Sequence, residues 1–333
     1  MADIDLSPSV YSSMTNTPAN GWKPLGYNDS FVGHYDGNNK SIINLKSIGT
    51  EEYETPSLFG AIENGSVKNL AITDVDIQGV CDVAAIAGYI NDAVIDNCHS
   101  SGNINAQRYE AGGLVGYAEE LDISNSYSEA KVTTQHCFET DYSCTGGLIA
   151  CLDEGTVTNC YATGDVEGTN EIGGLIGSVY NAKIEQCFTK NQTVIGETYI
   201  GGLIGCTYAE TEIKDCYSQE VTVGVKEGAN GEYVGGLVGC NQDSSITGCN
   251  TSGSVTGNDY VGGVAGANIW DWDTTEIRSS GSECTVIGHD YVGGVIGINV
   301  SAIYSDLYFN GTGPTGDIPE HTGPIIGFDA VEE

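Results

Sequence analysis

The stretch that decides the fold reads Tyr-Ile-Gly-Gly-Leu-Ile-Gly at residues 199–205, and it recurs along the chain with conservative changes. Its Gly-Gly-aliphatic-aliphatic-Gly phrase begins at Gly112, Gly146, Gly173, Gly201, Gly235, Gly262 and Gly293. The last residue of each phrase, here called the marker, falls every 27 to 34 residues once degenerate copies are included: Gly60, Gly88, Gly116, Ala150, Gly177, Gly205, Gly239, Gly266 and Gly297. This spacing indicates stacked repeats in which each unit buries its apolar face against its neighbours.

A second position keeps the same register. The tenth residue after the marker is small or apolar: Leu70, Cys98, Ser126, Cys160, Cys187 and Cys249, with Cys216 displaced by one and Ser280 continuing the column. Stacked equivalent positions lie about 4.8 Å apart. We therefore expect Cys98, Cys160, Cys187, Cys216 and Cys249 to form an inward ladder of buried free thiols. Parallel neighbours point their side chains the same way, which opposes disulfides within this ladder.

The local pattern within one copy predicts strands. Residues 198–224 contain three short runs rich in Val, Ile, Thr and Tyr, separated by turn residues. No stretch carries apolar residues at helical spacing over ten residues, so we expect little helix. The predicted fold is all-β, a parallel β-helix (β-solenoid) of about nine to ten coils of roughly 28 residues.

Two phrases carry a family resemblance. Tyr-Val-Gly-Gly-Leu-Val-Gly at 233–239 and Asn-Cys-Tyr-Ala-Thr-Gly at 159–164 resemble the GLUG motif, a repeat found in bacterial and archaeal surface proteins and beside some immunoglobulin A peptidases. The resemblance covers about residues 58–300, and residues 31–45 look like the first coil that often precedes such repeats. It implies a right-handed solenoid and supplies no catalytic residue.

Three regions follow from this interpretation. We assign residues 1–45 to an N-terminal cap and first coil, and residues 46–300 to the GLUG-type solenoid. Residues 301–333, with Pro314, Pro319 and Pro324, are expected to break the periodicity as a C-terminal cap. Caps are needed because the open ends of a solenoid present unpaired strands. An imperfect cap would allow end-to-end self-association into a filament.

The net charge of the chain limits the classes of molecule that it can bind. The chain carries 46 acidic and 11 basic residues, a formal net charge of −35. Such a surface disfavours nucleic acid and anionic membranes and attracts cations. Calcium is the one cofactor that the charge favours, although the turn Asp36-Gly-Asn-Asn lacks the full spacing of a calcium loop. We expect no other metal site, since Cys-x-x-Cys is absent and the five histidines are scattered.

The expected location is extracellular or at the cell surface. No run of 18 apolar residues exists, and the start Met-Ala-Asp-Ile-Asp-Leu shows no signal peptide. On the ground of the resemblance, we expect a secreted protein whose leader is not part of this sequence. An exported protein would also permit disulfides. Cys137 and Cys144 bracket the extra residues of one longer copy and are a predicted pair; Cys206 and Cys240, on consecutive coils, are a second candidate.

Catalysis has few candidate residues. A polysaccharide lyase needs cationic or metal assistance, and the only arginines are Arg108 and Arg278. Carboxylates are so abundant that a glycosidase-like pair carries little information. Neither His-Glu-x-x-His nor Gly-x-Ser-x-Gly occurs. We therefore expect no enzyme, with a polysaccharide lyase or glycoside hydrolase as the remaining alternative.

Binding is the favoured function, and insertions are where a solenoid usually places it. Residues 133–144, 226–233 and 268–278 are the insertions, and the last contains Trp270, Asp271, Trp272 and Asp273. Tryptophan beside carboxylate suits a sugar, because the ring covers the apolar face of a pyranose. The alternative is a tryptophan that closes a gap over the coil. We expect a non-catalytic adhesion or recognition module for a glycan or a host protein; the main rival is a self-assembling structural protein.

Two aromatic columns are interpreted as architecture rather than as ligand platforms. One precedes the glycine pair and changes character midway, from Asp82, Glu110, Cys144 and Glu171 to Tyr199, Tyr233, Tyr260 and Tyr291. The other follows the cysteine column: His99, Tyr127, Tyr161, Phe188 and Tyr217.

Overall fold

The computed structural model describes residues 3–7, 21–26, 28–51, 54–135, 143–270 and 274–330. These residues form about ten coils of a β-solenoid in which each strand pairs in parallel with the equivalent strand of the next coil. In the described part, the only helix is one turn of 3-10 helix at Pro319–His321. The predicted all-β, parallel β-solenoid is therefore confirmed, and its right-handed sense stays a prediction.

Each regular coil passes through five strand positions, which stack into five ladders. The glycine ladder is a separate sheet of nine described strands: Val83–Ala84, Ala111–Gly112, Thr145–Gly146, Asn170–Gly173, Thr198–Gly201, Glu232–Gly235, Asp259–Gly262, Asp290–Gly293 and Thr322–Gly323. The marker ladder follows it: Val115–Ala118, Ile149–Leu152, Ile176–Tyr180, Ile204–Tyr208, Val238–Gln242, Ala265–Ile269, Ile296–Val300 and Ile326–Ala330.

The remaining ladders continue each coil. The third contains Leu121–Ser124, Gly155–Thr158, Ala182–Glu185, Glu212–Lys214, Ser245–Thr247, Glu276–Arg278 and Ile303–Ser305. The fourth contains Tyr127–Ser128, Tyr161–Ala162, Phe188–Lys190 and Tyr308–Phe309, and the fifth Lys131–Thr134, Val166–Glu167, Thr193–Gly196 and Thr312–Thr315. Single strands cross both in three coils: Tyr217–Val225, Asn250–Thr256 and Gly281–Ile287.

The early coils have longer strands. Phe59–Gly79 and Ala87–Ala106 each run from the marker ladder to the fifth ladder without interruption. The first coil contains His34–Ile43 and Lys46–Ile48, and the short strand Ile4–Asp5 pairs with its Ile42 and Ile43.

The interior is a thin column of identical positions. The first aliphatic residue of each phrase is fully buried in successive coils: Leu114, Leu148, Leu175, Leu203, Leu237, Val264 and Val295. Because parallel strands stack in register, each residue packs on its own counterpart one coil away, as Ile176 does on Ile204. A repeat therefore cannot exclude water from its apolar face alone.

The glycine pair is required by backbone packing at a tight turn. A Cβ at Gly201 would lie 1.7 Å from the carbonyl oxygen of Ile204. A Cβ at Gly202 would lie 2.1 Å from the carbonyl oxygen of Gly236 in the next coil. A side chain at Gly201 or Gly202 would overlap these main-chain atoms as they stand, so the turn would have to open to admit it. An earlier coil carries Ala84 and Ala85 at the equivalent positions, so the requirement belongs to the individual turn.

The C-terminal region corrects one expectation. Residues 322–330 continue the register, with Val292 paired to Thr322 and Ile296 to Ile326, so the periodicity does not break after residue 300. Thr-Gly-Pro-Ile-Ile-Gly at 322–327 is a further copy of the phrase in which Pro324 replaces the second glycine. The N–H at this position donates toward the following coil, as Gly294 does to Gly323. Pro324 lies in the last described coil, so its missing N–H removes no bond seen there.

The N-terminal region also joins the stack. Beyond the pairing of Ile4 and Asp5, the Trp22 indole N–H donates to the carbonyl oxygen of Leu58 at 3.1 Å. Residues of both proposed caps thus add to the same ladders as the repeats, and the boundaries at 45 and 300 remain proposals.

Candidate functional site

The tryptophan-containing insertion leaves the side of the stack at the end of the marker-ladder strand Ala265–Ile269. Trp270 is anchored by its main chain, whose N–H donates to the carbonyl oxygen of Val300 at 3.0 Å, while its side chain is 45% exposed. The Thr275 hydroxyl donates to the carbonyl oxygen of Ile269 at 2.9 Å and closes the base of the loop. Asp271, Trp272 and Asp273 lie outside the described residues. Trp270 is thus the member of the predicted glycan site that the structure places.

The predicted pairing of Cys144 is corrected. Cys144 forms a disulfide with Cys151, seven residues along the chain, and Cys137 lies outside the described residues. The physical reason is the glycine turn at 146–147, which reverses the chain and brings the two Cα atoms to 5.9 Å, within the usual range for a disulfide. A signal existed in the sequence, since Cys151 directly follows the marker Ala150. Cys206 and Cys240, which also follow markers, face each other in register as buried free thiols.

The disulfide lies within a column of acidic side chains. The Glu171 Oε1 accepts a hydrogen bond from the Tyr208 hydroxyl at 2.7 Å, and its Oε2 is 3.4 Å from the sulfur of Cys144. Burial raises the pKa of Glu171. Burial also raises the pKa of Asp82 to about 6, and burial together with the charge of Asp82 raises the pKa of Glu110 to about 8. Of these carboxyls, Glu110 keeps its proton to the highest pH. The sequence analysis noted the column of acidic residues but did not predict the raised pKa values.

The inward cysteine column is placed as a dry ladder. Cys98, Cys160, Cys187, Cys216 and Cys249 are each 1% exposed or less and carry free thiols. Their sulfurs donate to nearby carbonyl oxygens, as Cys187 does to Glu185 at 3.2 Å. Burial raises the pKa of Cys98 to about 12. Thiols of this kind fill space and are poor nucleophiles.

The outer face of the fourth ladder carries a continuous aromatic stack. Its rings are nearly parallel, with centroids 4.6 to 4.8 Å apart: His99, Tyr127, Tyr161, Phe188 and Tyr217. Each interior ring has both faces covered by its neighbours and presents only an edge to solvent. Tyr217 ends the stack and is 39% exposed, because the next residue in register is Asn250.

A notch of about 360 Å³ lies beyond Tyr217 on this face. In register after Tyr217 come Asn250, Gly281 and then Tyr308. The ring of Tyr308 leans back over Gly281, where a Cβ would lie 2.4 to 2.5 Å from three of its ring atoms. The Tyr308 hydroxyl donates to Asn250 Oδ1 at 2.5 Å. Sequence reasoning missed the notch because Tyr308 belongs to the region assigned to a cap.

A second aromatic stack precedes the glycine ladder. Its centroids are 4.4 to 5.0 Å apart along Tyr199, Tyr233, Tyr260, Tyr291 and His321. Burial raises the pKa of Tyr233 to about 12. His321 caps the stack, with its Nδ1 2.6 Å from Asp290 Oδ1.

Among the described residues, no group of three or more His, Cys, Asp or Glu side chains is arranged to hold a metal ion. The same part of the chain contains no helix with the length and apolar character needed to cross a membrane.

The comparisons with known proteins concern the repeats. The family model described as "The GLUG motif" matches residues 108–133, 141–167 and 230–256. An immunoglobulin A1 protease of Streptococcus sanguinis is 30% identical over 161 residues, which is 46% of this chain and 8% of that protein. Halomucin of Haloquadratum walsbyi is 30% identical over 138 residues, 40% of this chain and 1% of that protein.

One further relative and one solved structure complete the comparison. An immunoglobulin A1 protease of Streptococcus pneumoniae is 24% identical over 220 residues, 65% of this chain and 9% of that protein. A crystal structure from Bacteroides ovatus, provisionally described as an immunoglobulin A1 protease, is 20% identical with a TM-score of 0.47, over 67% of this chain and 69% of that one. The chain thus spans less than a tenth of the length of these three curated relatives.

Proposed function

We propose that this chain, whose repeats are GLUG motifs, is a non-catalytic extracellular module that recognises a glycan or a protein at a cell surface. The observation that carries the proposal is the exposure of Trp270 on the side of a rigid stack. Its side chain is 45% exposed, although its main chain is held by a hydrogen bond to the next coil. An exposed indole on an anchored main chain offers a large apolar area to a ligand, and only its side-chain torsions need to be fixed on binding.

The curated relatives support the extracellular part of the proposal. They are large proteins, and the segment they share with this chain is the repeat region. A repeat region shared by proteins named as proteases and by a halomucin is better explained by a common scaffold than by a common reaction. We therefore assign the protease activity of the former to other parts of those proteins.

The test is retention of the whole chain on a glycan array and on immobilised cell-surface protein. We expect binding that falls at least tenfold in Trp270→Ala and in Trp272→Ala. Tyr180→Ala is the matched control, because Tyr180 is 50% exposed at the end of a marker-ladder strand three coils away. Absence of binding to every glycan and protein surface would contradict the proposal.

A self-assembling structural protein is the second candidate. It is favoured by the last described coil, in which Ile325 and Ile326 are only partly buried and Phe328 is 38% exposed. Light scattering after size exclusion separates the two, because polymers that grow with concentration indicate assembly. A stable monomer that retains glycan indicates recognition.

A further inference from the structure

We infer that the notch between Tyr217 and Tyr308 binds one neutral pyranose ring of a glycan. This inference deepens the proposed function and rests on it, and it adds a sugar-binding position on the fourth ladder to the contact proposed at Trp270. The two places are separate, because Trp270 follows the marker ladder.

Tyr217 exposes one face of its ring. In an aromatic stack, neighbouring rings cover both faces of every interior member, so those rings can offer a ligand only their edges. Tyr217 differs, because Asn250 has no ring to cover its outer face. An aromatic face is the surface on which the apolar side of a pyranose stacks.

Tyr308 forms the opposite wall of the notch. Tyr308 is three coils from Tyr217 in register, and its ring leans back by one coil to lie over Gly281. The two rings are thus separated by roughly two strand spacings, about 9 to 10 Å. The rings of the stack itself repeat at one spacing. The Tyr308 hydroxyl and Asn250 close the base of this interval, and the remaining notch of about 360 Å³ has room for one six-membered ring.

The base and the rim of the notch carry polar side chains. Asn250 lies at the base, and its Oδ1 is occupied by the Tyr308 hydroxyl. Within the described chain, its amide nitrogen donates to no protein group and can reach a ligand hydroxyl. Gln219 and Glu283 are exposed at the rim, and both have oxygens that accept hydrogen bonds from hydroxyl groups.

The negative charge around the notch limits the class of sugar that can bind. The Glu283 carboxylate lies at the rim, and the chain has a net charge of −35. Both repel uronates and sialic acids. Among the residues that the structure describes, the other end of the stack has no comparable site, because beyond His99 the register continues with Ala71, which supplies no second wall. The geometry therefore favours a neutral hexopyranose at the Tyr217 end.

The decisive variant is Asn250→Tyr. The introduced ring would continue the stack on Tyr217 and fill the notch, so the fold is expected to be retained with an unchanged or higher melting temperature. The probe is a panel of neutral methyl hexopyranosides, titrated against the whole chain and followed by saturation-transfer NMR. We expect millimolar binding to at least one pyranoside, lost at least tenfold in Asn250→Tyr and in Tyr217→Ala. Tyr180→Ala, as the control, should bind like the original chain.

Each outcome bears on a different proposal. Unchanged binding in a folded Asn250→Tyr variant would overturn the notch. Binding lost in Trp270→Ala but kept in Asn250→Tyr would overturn it too, while supporting recognition at the insertion. If the chain binds no pyranoside but is retained on a protein surface, the proposal for the notch is wrong and the proposed recognition function stands. A chain that binds neither loses both proposals.

Discussion

Glu110 lies next to Asp82 on the following coil, and burial together with the charge of Asp82 raises the pKa of Glu110. Two buried carboxylates on adjacent coils repel each other, so the pair holds one proton in preference to two negative charges. The ladder enforces the proximity, because Val83 and Ala111, the residues that follow them, pair in register. The folded state thus binds a proton that the same two side chains would not hold at neutral pH if they were apart.

The first prediction concerns pH. The folded pKa values, about 6 for Asp82 and about 8 for Glu110, exceed the ordinary values of 3.8 and 4.5. The folded state therefore binds more protons than the unfolded state between about pH 4 and pH 8, and the free energy of unfolding falls as pH rises through this window. We expect a loss of about 1 to 2 kcal/mol, since both side chains are partly exposed. Urea unfolding at a series of pH values measures it.

Glu110→Gln tests the origin of that loss. The amide can still hydrogen-bond to Asp82 but does not titrate, so the slope of stability against pH should become smaller. Glu154→Gln, an exposed carboxyl, should leave the slope unchanged. Both are compared in about 1 M salt, which screens the general repulsion of the acidic surface. Equal slopes in the two variants would contradict the shared proton.

The second prediction concerns a buried amide ladder. Asn268 is fully buried; it accepts from the Asn241 amide at 2.8 Å and donates to Asn299 Oδ1 at 2.7 Å. Asn268→Leu removes both bonds and leaves the Asn299 Oδ1 without the donor it has in the ladder, while the Asn241 amide keeps its bond to the carbonyl oxygen of Ser244. We expect a loss of about 1 to 3 kcal/mol. Asn91→Leu is the control, because the Asn91 amide donates to Glu119 in solvent, and it should cost less than about 0.5 kcal/mol. Similar melting temperatures for the two variants would argue against the ladder.

The third prediction concerns the disulfide. Alkylation of the unfolded chain without reductant should modify every cysteine except Cys144 and Cys151. Replacing both by alanine should lower the free energy of unfolding by about 2 kcal/mol, the loop-closure value for so short a loop. Reductant should then have no further effect on that variant. Recovery of a Cys137–Cys144 peptide by mass spectrometry would restore the pairing that the sequence suggested.

Positions that repeat could be predicted from the sequence. Cys160 and Cys187 are 27 residues apart and occupy equivalent places in their copies, so spacing alone predicted their stacking. The glycine phrase likewise predicted the tight turn. These inferences succeed because a solenoid turns periodicity in sequence into adjacency in space.

Contacts between unlike positions could not be predicted in this way. The Cys144–Cys151 bond joins two different columns across the turn, and periodicity does not give the distance between columns. The lean of Tyr308 over Gly281 depends on the absence of a side chain one coil away. The last copy of the phrase was missed because Pro324 replaces its second glycine; in the last described coil no hydrogen bond from that position is lost.

The fourth prediction tests the turn that defines the fold. Gly201→Ala would place a Cβ 1.7 Å from the carbonyl oxygen of Ile204, so the turn must open and the glycine ladder must separate from the marker ladder. We expect a loss of about 2 to 4 kcal/mol, seen as a lower melting temperature, and not a complete loss of folding, because Ala84 occupies the equivalent position of an earlier coil. Gly224→Ala is the matched control, because a Cβ there meets only the Cδ1 of Ile195, at 3.2 Å, and that side-chain tip can rotate. It should change stability by less than about 1 kcal/mol. The contrary outcome is that the Gly201→Ala and Gly224→Ala chains melt at the same temperature. In that case the turn is not closed by contact between main-chain atoms, and the steric explanation of the repeated phrase is wrong.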